Sequence, residues 1–282
     1  MAELPIEDAK QNAAKRAVED HFDPSSSFVG IGSGTTIIYV VEAIKEKLKT
    51  VTNDTIRFVP TGYQSRQVIV KAGLMPIAFD ELPEGVLLDM CFDGADEVDE
   101  DLNCVKGGGA CLFQEKLVAE RSKKFICVAD YRKAQTHLLT SWPSVPIEVA
   151  PISIHVVLSA LRALGSSNPR VRDGLLAKAG PLKTDQDFFI IDAPFPKLLT
   201  AAEAAAKQSD QGPGKGPGED GRWEVEELSR RIKLITGVLE VGLFCGMDGI
   251  TAMEKGISAG GQKPVAVYFG NRDGSVEVRK RK

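Results

Sequence analysis

A glycine-rich segment near the N-terminus, GIGSGTT at residues 30–36, follows a short apolar run and precedes a helical pattern. Its glycines let the backbone approach a ligand closely, and the hydroxyls of Ser33, Thr35 and Thr36 join the N–H groups of a helix start as donors to an anion. A tight turn without a ligand is the alternative interpretation. Because Thr35 stands where a dinucleotide-binding segment needs glycine, and the lysine of the nucleotide-binding loop is absent, the pattern favours a phosphate monoester.

Two carboxylates, Asp93 and Asp96, come directly after a nearly continuous apolar stretch, residues 86–92, in the sequence DGADE. Ligands of open α/β sheets bind at the carboxyl ends of strands, and buried carboxylates are costly unless they are used or paired. We therefore expect Asp93 and Asp96 to be functional. For the acidic residues 99–101 we favour a solvated acidic turn instead, and the spacing does not match a calcium-binding loop.

A lysine followed by three glycines, Lys106, Gly107, Gly108 and Gly109, forms the next polar segment. Successive glycines are costly in backbone entropy, and one reason to have them is to let a substrate lie against the chain. Glu115, on the predicted helix that follows, would by itself be interpreted as an ordinary exposed glutamate. It becomes a candidate because it follows the glycines and shares a neighbourhood with Lys106 and the aspartates.

The elements that position these residues alternate between helices and strands in the first half of the chain. Strands are predicted at residues 26–31, 56–59, 86–92 and 125–129, and helices at residues 7–21, 36–49, 64–72 and 110–122. This alternation predicts a doubly wound, mostly parallel sheet, whose strands end at one shared edge. Lys133 follows the fourth strand at that edge, although a lone lysine there is more often a surface residue than a ligand.

The pattern changes after Pro143 and predicts a second, smaller domain. The predicted order is strand 147–150, helix 154–164, a strand near Val171, strand 187–192, helix 224–235 and strand 238–244. This is the split β-α-β-β-α-β, ferredoxin-like arrangement of an α+β domain. We expect a doubly wound domain from residues 1–142 plus 251–282, rejoined by a strand at 264–269, and an α+β domain from residues 143–250. Residues 207–222, rich in glycine, proline and charge, are predicted to be a disordered surface insertion.

The composition argues against several classes of partner. A formal net charge of −4 gives no reason to expect nucleic acid, and no stretch approaches the roughly 20 apolar residues of a membrane span. Five scattered cysteines and three dispersed histidines predict neither a disulfide framework nor a metal site. With no apolar signal segment at the N-terminus, the sequence predicts a cytoplasmic protein.

Taken together, GIGSGTT, DGADE, KGGGACLFQEK and VADYRK resemble the ribose-5-phosphate isomerase A family, in order and spacing over nearly the whole chain. The resemblance implies a Rossmann-like domain with a small α+β lid. It also implies a cofactor-free isomerase of the pentose phosphate pathway that interconverts D-ribose 5-phosphate and D-ribulose 5-phosphate as a homodimer or homotetramer. The Gly/Pro-rich segment departs from the compact family pattern, which affects the expected shape of the lid but not the chemistry.

The resemblance also assigns roles to residues. The substrate contacts that it implies are Ser33, Gly34, Thr35, Thr36, Asp93, Gly94, Ala95, Asp96, Lys106, Gly107, Gly108, Gly109 and Lys133. It makes Glu115 the catalytic base, which moves a proton between C2 and C1 through an enediolate. Lys10, on the first helix, is similar to an additional lysine of the family on the phosphate side. Lys106 and the glycine N–H groups are candidates to stabilise the oxyanion, while the separate roles of Asp93 and Asp96 stay open.

Two rival hypotheses use the same residues. One is a different phosphosugar or acyl-transfer activity on a related sheet, since a fold alone does not specify a reaction. The other is a non-catalytic sensor of sugar phosphates. The presence of every polar residue of the proposed site weighs against the sensor, and an NMR assay with ribose 5-phosphate discriminates both from the isomerase.

Overall fold

The structure, a computed structural model, describes residues 5–49, 55–174, 179–207, 217–218, 220–257 and 261–281. The chain divides into two compact units. The first unit contains Met1–Ala95, Gln114–Ala134 and Gly246–Lys282, and the second contains Asp96–Phe113 and Gln135–Cys245. This grouping assigns residues 96–113 and 135–142 to the second unit. The division into 1–142 plus 251–282 and 143–250 stays a prediction.

A six-stranded sheet forms the centre of the first unit. With strands numbered along the chain, it contains β1 (Phe28–Ile31), β2 (Arg57–Pro60), β3 (Met90–Asp93), β6 (Phe125–Asp130), β12 (Ala266–Gly270) and β13 (Val276–Lys280). Their order is β13-β12-β6-β3-β1-β2, and every neighbouring pair is parallel except β12 with β13. The predicted mostly parallel sheet is confirmed, and the late apolar strand joins it beside β6.

The helices of the first unit bury apolar faces against this sheet. They are α1 (Ile6–His21), α2 (Thr35–Leu48), α3 (Tyr63–Lys71), α4 (Leu112–Glu120, of which Gln114 onward lies in this unit) and α8 (Gly249–Glu254). The apolar face of α2 is buried, with Ile37, Val40, Val41 and Ile44 in one core cluster with α1 and the strands. Each such side chain contributes about 1.5–3 kcal/mol when fully buried. The sheet is therefore a rigid base for the segments at its edge.

Strands of a parallel sheet end at one edge, which brings distant parts of the chain together. β1, β2, β3 and β6 end at Ile31, Pro60, Asp93 and Asp130. The predicted site residues 33–36, 93–95 and Lys133 lie at or shortly after those strand ends. The parallel register thus places these segments of the first unit along one edge of its sheet.

The second unit contains a four-stranded antiparallel sheet with helices. Its elements are β7 (Val145–Val149), α5 (Ile154–Ala163), β8 (Arg170–Val171), β9 (Phe189–Ala193), α6 (Ala201–Lys207), α7 (Val225–Lys233) and β10 (Val238–Val241). The strand order β10-β7-β9-β8 confirms the predicted α+β class. Helix α6 was not predicted. Most of the predicted disordered insertion, residues 208–216 and 219, lies outside the described residues.

A small three-stranded sheet in the second unit was not predicted. It consists of β4 (Glu97–Val98), β5 (Cys104–Val105) and β11 (Leu243–Phe244), in the order β11-β5-β4. The apolar run predicted as one strand at 238–244 is instead divided at Gly242. Its N–H donates to the Pro146 carbonyl (2.7 Å), and its carbonyl accepts from the Lys106 N–H (2.9 Å). The chain therefore leaves one sheet and enters the other at this residue.

The helices of the part of the chain that the structure describes include no candidate membrane span. None combines the length with the apolar character that crossing a bilayer requires.

Candidate active site

The glycine-rich segment after β1 forms the start of helix α2. Gly34 is the N-cap residue and has φ +100°, a conformation that favours glycine. Thr35 and Thr36 are the first two helical residues, and no acidic residue lies in the first turn of α2. The partial positive charge of a helix start and its N–H groups are suited to an anion. The local structure is thus compatible with the predicted phosphate site.

Two residues that sequence reasoning left without a role contact this segment. The hydroxyls of Ser33 and Thr61 are 2.9 Å apart, and the Gly34 N–H donates to Oε1 of Gln64 at 2.7 Å. Both partners come from PTGYQSRQ, which follows β2 at the same edge of the sheet. The roles of these two side chains depend on which strands are neighbours in the sheet, and no local sequence pattern records that.

Lys10 is brought to the same helix start by the packing of α1 on α2. Its Nζ donates to Oγ1 of Thr35 at 3.0 Å and to Oε1 of Glu7 at 2.8 Å, and the lysine is buried. Glu7 is held in turn by the Tyr39 hydroxyl, which donates to Oε2 at 2.8 Å. Hydrogen bonds from Lys10 and Tyr39 lower the pKa of the Glu7 carboxyl. A cation is therefore fixed beside the predicted anion site.

Lys133 lies in a short 3-10 helix, Tyr131–Lys133, directly after β6. Asp130 begins this turn by accepting from the Arg132 N–H at 3.1 Å, and it also pairs with the Arg132 guanidinium (2.7 Å). Burial by itself would raise the pKa of Asp130. The hydrogen bonds from Arg132 together outweigh that effect, so the pKa of the carboxyl is lowered. One strand, β3, separates β6 from β1 in the sheet. The structure thus places Lys133 at the predicted edge.

Asp93 joins the carboxylate segment to the glycine-rich segment. Its Oδ1 accepts from the N–H of Ser33 at 3.1 Å and from that of Gly94 at 2.7 Å, and the residue is buried. A Cβ at Gly32 would lie 1.9 Å from the same oxygen, which is far inside van der Waals contact. Only glycine at position 32 therefore allows the carboxylate to lie where it does.

Glu115 is not the exposed helix residue that its type alone suggests. It lies in the first turn of α4 and is only 6% exposed. The preceding residue, Gln114, donates from Nε2 to the Pro60 carbonyl at 2.9 Å, which ties the start of α4 to the end of β2. Further along the helix, Val118 packs so closely on Gly30 that a Cβ there would lie 2.6 Å from Cγ1. The carboxylate is thus held at the same edge of the first unit's sheet.

In the second unit, strand register brings Asp96 to the glycine segment. β4 and β5 pair antiparallel with Glu97 opposite Val105, and the Asp96 N–H donates to the Val105 carbonyl at 2.8 Å. Beyond the strands, the Gly108 N–H donates to Oδ2 of Asp96 at 2.7 Å. A Cβ at Gly108 would lie 2.7 Å from Oδ1, so glycine is needed for this approach.

Lys106 extends β5 toward the glycines and is buried. Its N–H donates to the Gly242 carbonyl at 2.9 Å, and its Nζ lies 5.4 Å from the centre of the Phe244 ring. An ammonium over an aromatic face is stabilised by the ring's electron density. Lys106 and Asp96, ten residues apart in the chain, thus flank the same hydrogen-bonded strand pair of the second unit.

Glu97 and Asp99, which follow Asp96 in the chain, are buried and accept hydrogen bonds from backbone N–H groups. Glu97 is buried and accepts hydrogen bonds from the backbone N–H groups of residues 139–142 and from the Ser141 hydroxyl. The solvated turn predicted for residues 99–101 is wrong for Asp99, which is 0% exposed and accepts from the Asp101 and Asn103 N–H groups. Burial raises the pKa of Asp99 to about 6. The carboxylate closes the turn between β4 and β5, which explains its burial.

The described residues contain no group of three or more His, Cys, Asp or Glu side chains that is arranged to hold a metal ion. Within the first unit the structure brings together Lys10 with Thr35 and Ser33 with Asp93. Within the second it brings together Asp96 and Gly108. The polar groups collected in this way suit binding of a phosphorylated, hydroxylated compound and proton transfer by carboxylates.

Comparison with known proteins gives one consistent result. The family model for ribose 5-phosphate isomerase A (phosphoriboisomerase A) matches residues 57–214. A ribose-5-phosphate isomerase of Mycosarcoma maydis is 43% identical over 275 residues, which cover 97% of this chain and 81% of the relative.

Two solved structures agree with this result. Ribose 5-phosphate isomerase A of Methanocaldococcus jannaschii is 27% identical with a TM-score of 0.74, covering 98% of this chain and 100% of that chain. A D-ribose-5-phosphate isomerase in complex with phospho-erythronic acid is 29% identical with a TM-score of 0.77, covering 99% of this chain and 100% of that chain. Sequence, fold and motif order therefore agree, and the chain belongs to the ribose 5-phosphate isomerase A family.

Proposed function

We propose that the chain interconverts D-ribose 5-phosphate and D-ribulose 5-phosphate through an enediolate with Glu115 as the base. Family membership makes the chain an aldose–ketose isomerase of the pentose phosphate pathway, acting on ribose 5-phosphate. The observation that carries the mechanistic part is the burial of Glu115 in the first turn of α4, at the carboxyl edge of the sheet. Proton transfer needs a carboxylate that is held in a fixed place, and this burial provides one. The decisive test is the Glu115→Gln variant, described in the Discussion.

The phosphate of the substrate is proposed to bind at the start of α2. Ser33, Thr35 and Thr36 supply hydroxyl donors there, and the first turn of α2 after Gly34 supplies backbone N–H groups. Lys10, whose Nζ lies 3.0 Å from Oγ1 of Thr35, supplies a positive charge beside them. Lys133, after β6, adds a second cation at the same edge. Phosphate contacts of this kind give binding energy that is remote from the reacting carbons.

The proton-transfer step needs a base and a stabilised oxyanion. Glu115 removes the proton from C2 of the open-chain aldose, which leaves the negative charge on O1 of the enediolate. Glu115 then returns its proton to C1 while the O2 hydroxyl proton passes to O1, so that the carbonyl moves from C1 to C2. We propose that Lys106 and the N–H groups of Gly107 and Gly109 stabilise the negative oxygen of the enediolate, while the Gly108 N–H holds Asp96 beside it. Gly94 and Ala95 are proposed to contact the sugar through their backbone.

The two aspartates are proposed to exchange hydroxyl protons during ring opening. Asp93 is oriented by the N–H groups of Ser33 and Gly94, and Asp96 by that of Gly108. Fixed carboxylates of this kind lower the cost of moving a proton between the anomeric hydroxyl and the ring oxygen.

Lys10→Ala is expected to raise KM for ribose 5-phosphate about tenfold or more, because a charge-assisted hydrogen bond contributes about 1.5–3 kcal/mol. Inhibition by inorganic phosphate should weaken in parallel, and Lys133→Ala should act in the same direction. Steady-state kinetics with and without phosphate measure both effects.

Lys15→Ala is the matched control, since Lys15 lies on the same helix but is exposed. If Lys10→Ala leaves KM and phosphate inhibition at the values of Lys15→Ala, Lys10 does not bind the phosphate. The lysine would then serve only the packing of α1 on α2.

We also propose that the chain is a cytoplasmic homodimer or homotetramer. Two exposed apolar side chains support an assembly. Ile152, in the 3-10 turn that precedes α5, is 98% exposed, and Val156, in the first turn of α5, is 61% exposed. Light scattering coupled to size exclusion should give the mass of two or four chains. A monomer at micromolar concentration would contradict the assembly.

A further inference from the structure

Arg172 contacts the glycine segment of the second unit through its guanidinium. One nitrogen, Nη1, donates to the Gly107 carbonyl at 2.9 Å and lies 3.2 Å from the Gly108 carbonyl. The other two nitrogens form a fork on Asp192, with Nε–Oδ2 at 2.8 Å and Nη2–Oδ1 at 2.6 Å. The guanidinium therefore connects the glycine carbonyls to a carboxylate on β9.

The arginine is itself rigidly held. Its N–H donates to the Ile190 carbonyl at 2.7 Å, and its carbonyl accepts from the Leu182 N–H at 2.9 Å, so its backbone continues the pairing of β8 with β9. The side chain is only 17% exposed. A planar guanidinium paired at both ends has little freedom left, which makes it a suitable clamp.

The glycine segment needs such a clamp because it has no side chains of its own to fix it. Gly107 has φ +106°, and glycine populates many backbone conformations in the absence of external contacts. Asp96 holds the segment on one side through the Gly108 N–H (2.7 Å). Arg172 holds it on the other side through the two carbonyls.

We propose that Arg172 is a positioning residue, oriented by Asp192, that fixes the backbone of residues 107–108 for binding of the substrate oxyanion. Neither residue touches the substrate in this scheme. The inference rests on the proposed function, because it assumes that the glycine N–H groups take part in the reaction. A lysine cannot replace the arginine, since one ammonium lacks the fork needed to serve Asp192 and both carbonyls.

Arg172→Ala is expected to lower kcat roughly tenfold to a hundredfold, the usual cost of misplacing a reacting group by about 1 Å. The kcat of Arg172→Lys should be reduced almost as much, because lysine does not replace the guanidinium. Inhibition by inorganic phosphate should stay at the wild-type level, because the proposed phosphate donors belong to the first unit. Hydrogen exchange of the peptide spanning residues 106–110 should become faster in both variants.

Guanidinium rescue separates positioning from a general loss of structure. Arg172 lines a cavity of ≈ 280 Å³ together with Gly108, Trp142, Arg170 and Asp192. Guanidinium chloride, below the concentration that unfolds the protein, should therefore restore part of kcat in Arg172→Ala, whereas equal sodium chloride should not. Arg170→Ala is the matched control, since this exposed arginine lines the same cavity, and its kcat should equal that of the wild type.

Failure of the proposed function and failure of the Arg172 inference give different results in these experiments. Wild-type protein without isomerase activity would overturn the proposed function, while hydrogen exchange would still report whether Arg172 orders the glycines. An active wild type with unchanged kcat and exchange in Arg172→Ala would overturn the inference, as would a loss of kcat that guanidinium does not restore. If Arg172→Ala does not fold, Asp192→Asn tests the same clamp through its other end and should show a smaller loss in kcat.

Discussion

Glu115→Gln is expected to lower kcat for ribose 5-phosphate isomerisation by roughly two to four orders of magnitude, the usual range for loss of a positioned base. Glutamine keeps the shape of the side chain in the first turn of α4 and most of its hydrogen bonding, but it has no basic oxygen. An NMR assay of ribose 5-phosphate conversion measures the loss. The assay also distinguishes the isomerase from the rival activities, because only an isomerase gives ribulose 5-phosphate alone.

Substrate binding should change little in the same variant. Phospho-erythronic acid, which a solved relative holds, is a suitable non-reacting probe for calorimetry. In heavy water the wild type should place deuterium on the transferred carbon, and the variant should lose this exchange together with turnover. Glu120→Gln, at the end of the same helix, should keep normal turnover. A near-normal rate in Glu115→Gln would mean that the base is another residue, and Asp93 or Asp96 would be the first candidate.

Gly32→Ala is expected to be the most damaging single-methyl change in the first unit's site. The new Cβ would lie 1.9 Å from Oδ1 and 2.6 Å from Cα of Asp93, so the carboxylate and the end of β3 must move. Inserting a methyl group into packed structure costs about 1–3 kcal/mol of stability. Because Asp93 also orients the Ser33 N–H, kcat should fall by roughly a hundredfold. Thermal unfolding and steady-state kinetics measure the two effects.

A double-mutant cycle shows whether this loss acts through Asp93. Adding Gly32→Ala to Asp93→Ala should reduce kcat by less than Gly32→Ala does alone, because the displaced carboxylate is already absent and only the contact with the Cα of residue 93 remains. Fully additive losses would mean that the methyl group acts elsewhere. Normal kcat in Gly32→Ala would mean that the position of Asp93 is not needed for turnover.

The sequence by itself determined the fold class and the segments that carry the chemistry. The helix α2 was predictable because Ile37, Val40, Val41 and Ile44 repeat with helical spacing over a full 14-residue element. The parallel sheet was predictable because apolar runs alternate with such helices. The glycine and carboxylate segments were found because their residue types are unusual at strand ends.

Only the tertiary structure decided which of these residues lie together. Lys10 reaches Thr35 through helix packing, over a separation of 25 residues that no local pattern records. Asp96 reaches Gly108 through two strands of two residues each, which are too short to show a periodicity. The burial of Glu115 likewise depends on what α4 packs against, since a residue type reports its neighbours in the chain but not its neighbours across a sheet.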